Sequence, residues 1–140
     1  MRLISDAALG AITIFQEARN QPYEGKCAVG EVIRERMRQR FFSDGTVAGT
    51  VCRAYQFSGW NSADPNRVPS LCADDKDPVV QECVRAWHNS AQTNLVKGAI
   101  FYLNPQAVLK SEGRLPKWWS SDADPASEVV IGDHAFRKKR

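Results

Sequence analysis

Between Asp6 and Arg19 the apolar residues Ala8, Ala11, Ile12, Phe15 and Ala18 recur at intervals of three and four. That is the period of a helix buried along one face, and Ser5 stands in front of it as a cap. Asn20-Gln21-Pro22 should end this helix, because proline disfavours helical geometry in the residue before it. A second helix is predicted from Tyr23 to Arg38. It turns Cys27, Val29, Val32, Ile33 and Met37 inward and covers the outside with Arg34, Glu35, Arg36 and Arg38. Thr46 opens a short helix through Val51. Residues 57–75, rich in Ser, Asn, Asp and Pro, read as loop. Asp77-Pro78 places a cap and a first-turn proline before a helix with Val80, Cys83, Val84, Trp87 and Ala91 inside. The apolar period then shortens. Ala99 to Leu103 reads as a strand, and Glu128 to Phe136 as a hairpin turning at Gly132-Asp133. Helices followed by strands predict an α+β fold.

The 140 residues suit one domain, 1–140, with 137–140 as a basic tail. Net charge narrows the choice of partner. Of 19 basic residues four are Arg137, Lys138, Lys139 and Arg140, which leaves 15 against 16 acids, a near-neutral body. A nucleic-acid binder spreads cations over a face, so nucleic acid is not the expected partner. The tail is expected to add little to the fold and to offer weak contact with an anionic surface. No run of 18 apolar residues spans a membrane, and the first residues lack the apolar core and cleavage site of a signal peptide. The cysteines, at 27, 52, 72 and 83, have no Cys-x-x-Cys spacing and do not form a zinc motif. Cys27 and Cys83 fall on buried stripes as core thiols. Cys52 and Cys72 flank a loop and are a possible disulfide. No cofactor is implied.

Candidate chemistry centres on Glu17, where an apolar helix ends against a proline turn. A carboxyl half-buried there and facing a cleft has a raised pKa and can hand over a proton. The plainer alternative is a solvated helix-end glutamate. The run Glu17-Ala18-Arg19-Asn20-Gln21-Pro22-Tyr23-Glu24-Gly25 resembles the signature of the spore-cortex-lytic, cell wall hydrolase catalytic domain. Further matches follow in the family's order: Tyr55-Gln56-Phe57-Ser58 with Trp60, Ala99 to Pro105, Pro116-Lys117-Trp118, and Ile131 to Phe136. The resemblance covers about Leu9 to Phe136. Asn20 stands where the family has glycine, and Gln21, which cannot transfer a proton, where it has a second glutamate.

The resemblance implies a lysozyme-like fold, with a helical lobe and a small antiparallel sheet about a saccharide cleft. It also implies a peptidoglycan muramidase acting between N-acetylmuramic acid and N-acetylglucosamine. Glycosidases of the usual kind need two carboxylates, and Glu24, Asp44 and Asp64 have no context that marks them. A single acid/base suits a lytic transglycosylase, the chemistry associated with this family; a hydrolytic lysozyme is the alternative. Candidate sugar-binding residues are Gln56, Ser58, Trp60, Tyr102, Asn104, Trp118 and His134, since loop aromatics stack on pyranose faces. Of Trp118 and Trp119 one is expected in the core. Asn104 and Ser58 serve equally well as turn caps, and His134 as a structural histidine; His88 reads as surface. Other readings are a cysteine amidase, a metallohydrolase, for which no His-Glu-x-x-His is present, and a non-catalytic wall-binding module. The expected place of action is the cell wall, reached by a separate export or lysis route, as for a phage endolysin.

Overall fold

In the computed structural model, which describes residues 4–65 and 67–140, α1 spans Asp6–Ala18 and α2 spans Tyr23–Gln39. Three further helices follow: α3 (Val47–Val51), α4 (Arg67–Leu71) and α5 (Pro78–Asn89). Strand β1 (Phe101–Leu103) precedes α6 (Pro105–Glu112) and α7 (Trp118–Ser121), and β2 (Val129–Ile131) and β3 (His134–Arg137) close the chain.

The caps act as the sequence indicates. Ser5, Thr46 and Asp77 each accept a backbone N–H at the start of α1, α3 and α5. Helices α1, α2 and α5 enclose a core containing Ile14, Val29, Val32, Cys27, Cys83 and Trp87. Gly10 makes the α1–α5 crossing possible: a Cβ there would lie 2.3 Å from the Trp87 ring. Arg34 is not an outward charge. It stacks on Trp87, 4.0 Å from the ring centre, and donates to the Trp87 carbonyl at 2.7 Å.

Among the described residues the sheet is antiparallel in the order β1-β3-β2, with Tyr102 opposite Phe136 and Val130 opposite Ala135. Its inner face builds a second core of Ile100, Phe101, Leu103, Ala135, Trp119 and Ala123. Trp119 is the core tryptophan, and Trp118 is 37% exposed. The buried Glu31 carboxylate ties α2 to the segment entering the sheet, accepting from Thr93 Oγ1 and from the Leu95 and Val96 amides.

Several expectations need correction. Part of the loop text at 57–75 folds, into a 3-10 turn at Ser58–Trp60 and into α4. Helix α5 stops at Asn89, so Ala91 lies outside it and is exposed. Cys52 and Cys72 are free and exposed, not disulfide-bonded. The basic tail is part of the fold. Arg137 belongs to β3, and its guanidinium pairs with Glu128 at 2.8 Å and covers the Trp119 ring at 4.0 Å. Beyond it, Asp124 N donates to Lys138 O and Arg140 N to Asp122 O, both at 2.8 Å. Main-chain pairing of this kind requires only backbone groups, so the side chains of Lys-Lys-Arg gave no warning of it.

Candidate active site

Glu17 sits in the last turn of α1, half-buried, on a cleft of about 960 Å³. The volume lies at the upper end of the range of ligand pockets. The helix stops there because the chain must turn into Pro22, and the turn is held firmly. Buried Lys26 donates to the Gln21 carbonyl at 2.5 Å and faces Glu82 at 3.6 Å.

Gln21, the amide in place of a glutamate, clamps this corner to the β2–β3 turn. Its Oε1 accepts from Asp133 N at 2.9 Å and its Nε2 donates to the Asp133 carboxylate at 3.0 Å. Gly132, at φ 59°, is required there, because a Cβ would lie 2.5 Å from Gln21 Oε1. A glutamate at 21 would set two carboxylates against each other. The clamp joins α1 to the turn that precedes His134.

The environment of Glu17 pushes its carboxyl from an ordinary 4.5 up to about 7. Desolvation is the largest cause, and the negative charge of Asp64 adds to it. Arg36 and a hydrogen bond from Tyr102 pull the other way and do not prevail. Tyr102 comes from β1. Its ring stacks on Phe136 at 5.6 Å and meets the His134 edge at 5.4 Å. Burial and the Glu17 charge hold its hydroxyl well above its usual pKa, so it remains a donor. His134 is buried and its pKa is lowered by desolvation, which favours neutral imidazole; Nδ1 has no hydrogen-bond partner among the described residues.

Arg36 is the main residue that the sequence reading misplaced. It is buried, donating from Nε to the Ile100 carbonyl at 2.8 Å and from Nη1 to Gln56 Oε1 at 3.3 Å. The signal was present: Arg36 follows Val29, Val32 and Ile33 on the same inward stripe, at helical spacing. Charge alone argued for the surface.

Seven candidates, Glu17, Gln56, Ser58, Tyr102, Asn104, Trp118 and His134, line the cleft together. Asn104 also caps α6, accepting from Ala107 N at 3.0 Å. Trp60 does not line it; its indole N–H donates to Thr13 Oγ1 at 2.9 Å and its ring packs on the helical core. The sequence reading passed over Phe42 and Tyr55, which add exposed aromatic surface to the cleft, each from a positive-φ backbone position. It also passed over Lys139 and Arg140 as lining residues. Asp64, given no distinguishing context above, is close enough for Glu17 to feel its charge. His88 is exposed, as expected.

The arrangement is that of a carboxyl group with its pKa raised to about 7, facing a large, aromatic-sided groove. A family model described as cell wall hydrolase matches residues 20–137, beginning three residues past Glu17. The spore cortex-lytic enzyme of Oceanobacillus iheyensis is 30% identical over 74% of this chain, and that of Bacillus subtilis 28% over 74%. The chain spans about a third of the length of these relatives, 34% and 31%. Two solved structures share the fold. The catalytic domain of the germination-specific lytic transglycosylase SleB from Bacillus anthracis has a TM-score of 0.70 at 20% identity, covering 99% of both chains. That of the Bacillus cereus SleB protein has 0.67 at 22%, covering 95% of this chain and 89% of the other.

Proposed function

The chain belongs to the cell wall hydrolase family, and on that premise we propose that it is a peptidoglycan muramidase acting as a lytic transglycosylase. The bond cut is the β-1,4 link between N-acetylmuramic acid and N-acetylglucosamine. The observation that carries the reading is Glu17: an acid held protonated to about pH 7, opening on a cleft with aromatic sides.

Glu17 donates its proton to the bridging oxygen as the glycosidic bond breaks. A general acid works best when its pKa lies near the working pH, and about 7 meets that condition. The departing N-acetylglucosamine leaves positive charge on the muramoyl anomeric carbon, and Glu17, now a carboxylate, faces it. The Tyr102 hydroxyl and the Arg36 guanidinium stabilise that carboxylate. Glu17 then takes the proton of the muramoyl C6 hydroxyl, whose oxygen bonds to the anomeric carbon. The acid is regenerated and a 1,6-anhydro end is formed. Trp118, Phe42 and Tyr55 offer ring faces to the pyranoses, and Gln56, its Oε1 occupied by Arg36, offers its amide N–H groups.

Asp64 favours a second reading. A second carboxylate near the acid is what a hydrolytic lysozyme uses to activate water or to stabilise the sugar cation. Mass spectrometry of digested sacculi separates the two. The expected products are muropeptides with 1,6-anhydro ends. Reducing N-acetylmuramic acid ends would replace the transglycosylase with a hydrolase, and released peptides without glycan cleavage would overturn both. The site of action follows as the cell wall. Among the described residues no helix is long and apolar enough to cross a membrane.

A further inference from the structure

The four cations at 137–140 have different neighbours. Arg137 is consumed by Glu128 and Trp119, and Lys138 lies near enough to Glu35 for its charge to be felt. Lys139 and Arg140 line the same cleft as Glu17. Their backbone is fixed there by the antiparallel bridge between Ala123 and Lys139 and by the Arg140 N–H on the Asp122 carbonyl. Arg140 Nε donates to the Ser120 carbonyl at 3.0 Å, which orients the guanidinium and leaves both terminal nitrogens without a partner among the described residues. Lys139 Nζ is likewise in no ion pair or hydrogen bond among them. One acid, Asp122, shares this wall, and its carboxylate accepts from Ser121 Oγ. Counting side chains alone, this wall carries two cations against one anion, beside the aromatic face of Trp118.

We propose that Lys139 and Arg140 form an anion subsite for the carboxylates of the peptide carried on the muramoyl lactyl group, so that the cleft selects peptide-bearing over peptide-free glycan. This rests on the peptidoglycan reading above. The chemistry matches: a guanidinium anchored through Nε presents two parallel N–H donors, the fork that binds carboxylate in bidentate fashion. The position matches too, since the muramoyl unit being cut lies in the cleft with Glu17 and its peptide branches from that unit.

The test is calorimetric titration of the full chain carrying Glu17→Gln, which binds without consuming ligand. The probes are a soluble disaccharide–tripeptide muropeptide and the same disaccharide with its peptide removed and the lactyl carboxylate this exposes capped as the primary amide, so that the control carries neither peptide nor anion. A charge-assisted hydrogen bond contributes about 1.5–3 kcal/mol, and 1.4 kcal/mol is a factor of ten, so the peptide-bearing probe should bind at least about tenfold tighter. Lys139→Gln and Arg140→Gln should each shrink that ratio, and the double variant should bring it close to one. Arg140→Lys should keep part of it. Circular dichroism of each variant reports whether the tail bridge and fold persist. Equal affinity for both probes, or a ratio that survives in a folded double variant, would overturn the subsite and leave the muramidase reading standing. Failure of either probe to bind, together with intact glycan after wild-type digestion, would remove both.

Discussion

The helical side of the cleft and its sheet-and-tail side are held in place by different means. Glu17 and Arg36 stand on α1 and α2, helices long enough to be fixed by an apolar stripe packed against α5. Trp118, Lys139 and Arg140 stand on a four-residue helix and a tail that have no stripe of their own. That side depends on Trp119 beneath it, covered by Arg137, and on backbone bonds between residues 122–124 and 138–140. The division matches a division of labour. The rigid helical side carries the proton, where small displacements cost most. The side that is bonded through its backbone carries side chains that meet substrate, and these can vary without disturbing the frame.

The largest expected effect falls on the foundation of the second side. Trp119→Ala should destabilise the protein by about 3–5 kcal/mol, the usual cost of emptying a buried tryptophan site, read from urea midpoints. Trp118→Ala, one residue away, should cost less, on the order of 1 kcal/mol for the lost stacking on Phe101, and should raise KM on soluble glycan. Equal midpoints for the two variants would erase the distinction between foundation and surface.

Next in size is the proton itself. Glu17→Gln should lower kcat on soluble muropeptides at least about a hundredfold, with the fold retained. Removing the carboxyl should also stabilise the protein in a pH-dependent way. The folded carboxyl titrates above the ordinary value, so wild type is penalised as pH rises past 4.5 and fully so above about 7. The variant should match wild type near pH 4 and unfold at higher urea near pH 8. A constant difference across that range would deny the penalty.

The smallest effect concerns the clamp between the two sides. Gln21→Glu sets a carboxylate against Asp133 and should cost on the order of 1 kcal/mol. Adding Asp133→Asn should restore most of it. No loss in the single variant, measured by thermal unfolding at pH 7, would show that the corner does not rest on this pair.

The sequence disclosed these regions unequally, for the same physical reason. Helices α1, α2 and α5 were legible because Ala11, Ala18, Val29, Val32 and Cys83 fall on stripes of helical period and Ser5 and Asp77 announce the starts of α1 and α5. The α1 stripe was nonetheless read with Ala8, Ile12 and Phe15, which are only partly buried, in place of Leu9 and Ile14. Glu17 was legible from the break at Pro22 and from a motif. The inward place of Arg36 was written in the helical spacing but overridden by its charge, and the partners that make its burial tolerable, the Ile100 carbonyl and Gln56, lie far along the chain. Trp60 was misassigned because a tryptophan in loop text looks the same whether it faces sugar or Thr13. Helix α7 and the pairing of the tail leave no periodic trace, since four residues make one turn and backbone bonds are indifferent to side chains.

The account depends most on Glu17 being an acid at neutral pH. The direct measurement is a pH titration of its side-chain carboxyl by carbon-13 NMR, assigned by its absence in Glu17→Gln. The account predicts a midpoint of about 7, set apart from the ordinary glutamates. A midpoint near the ordinary 4.5 would leave Glu17 ionised at neutral pH, without the proton the mechanism requires, and would contradict it.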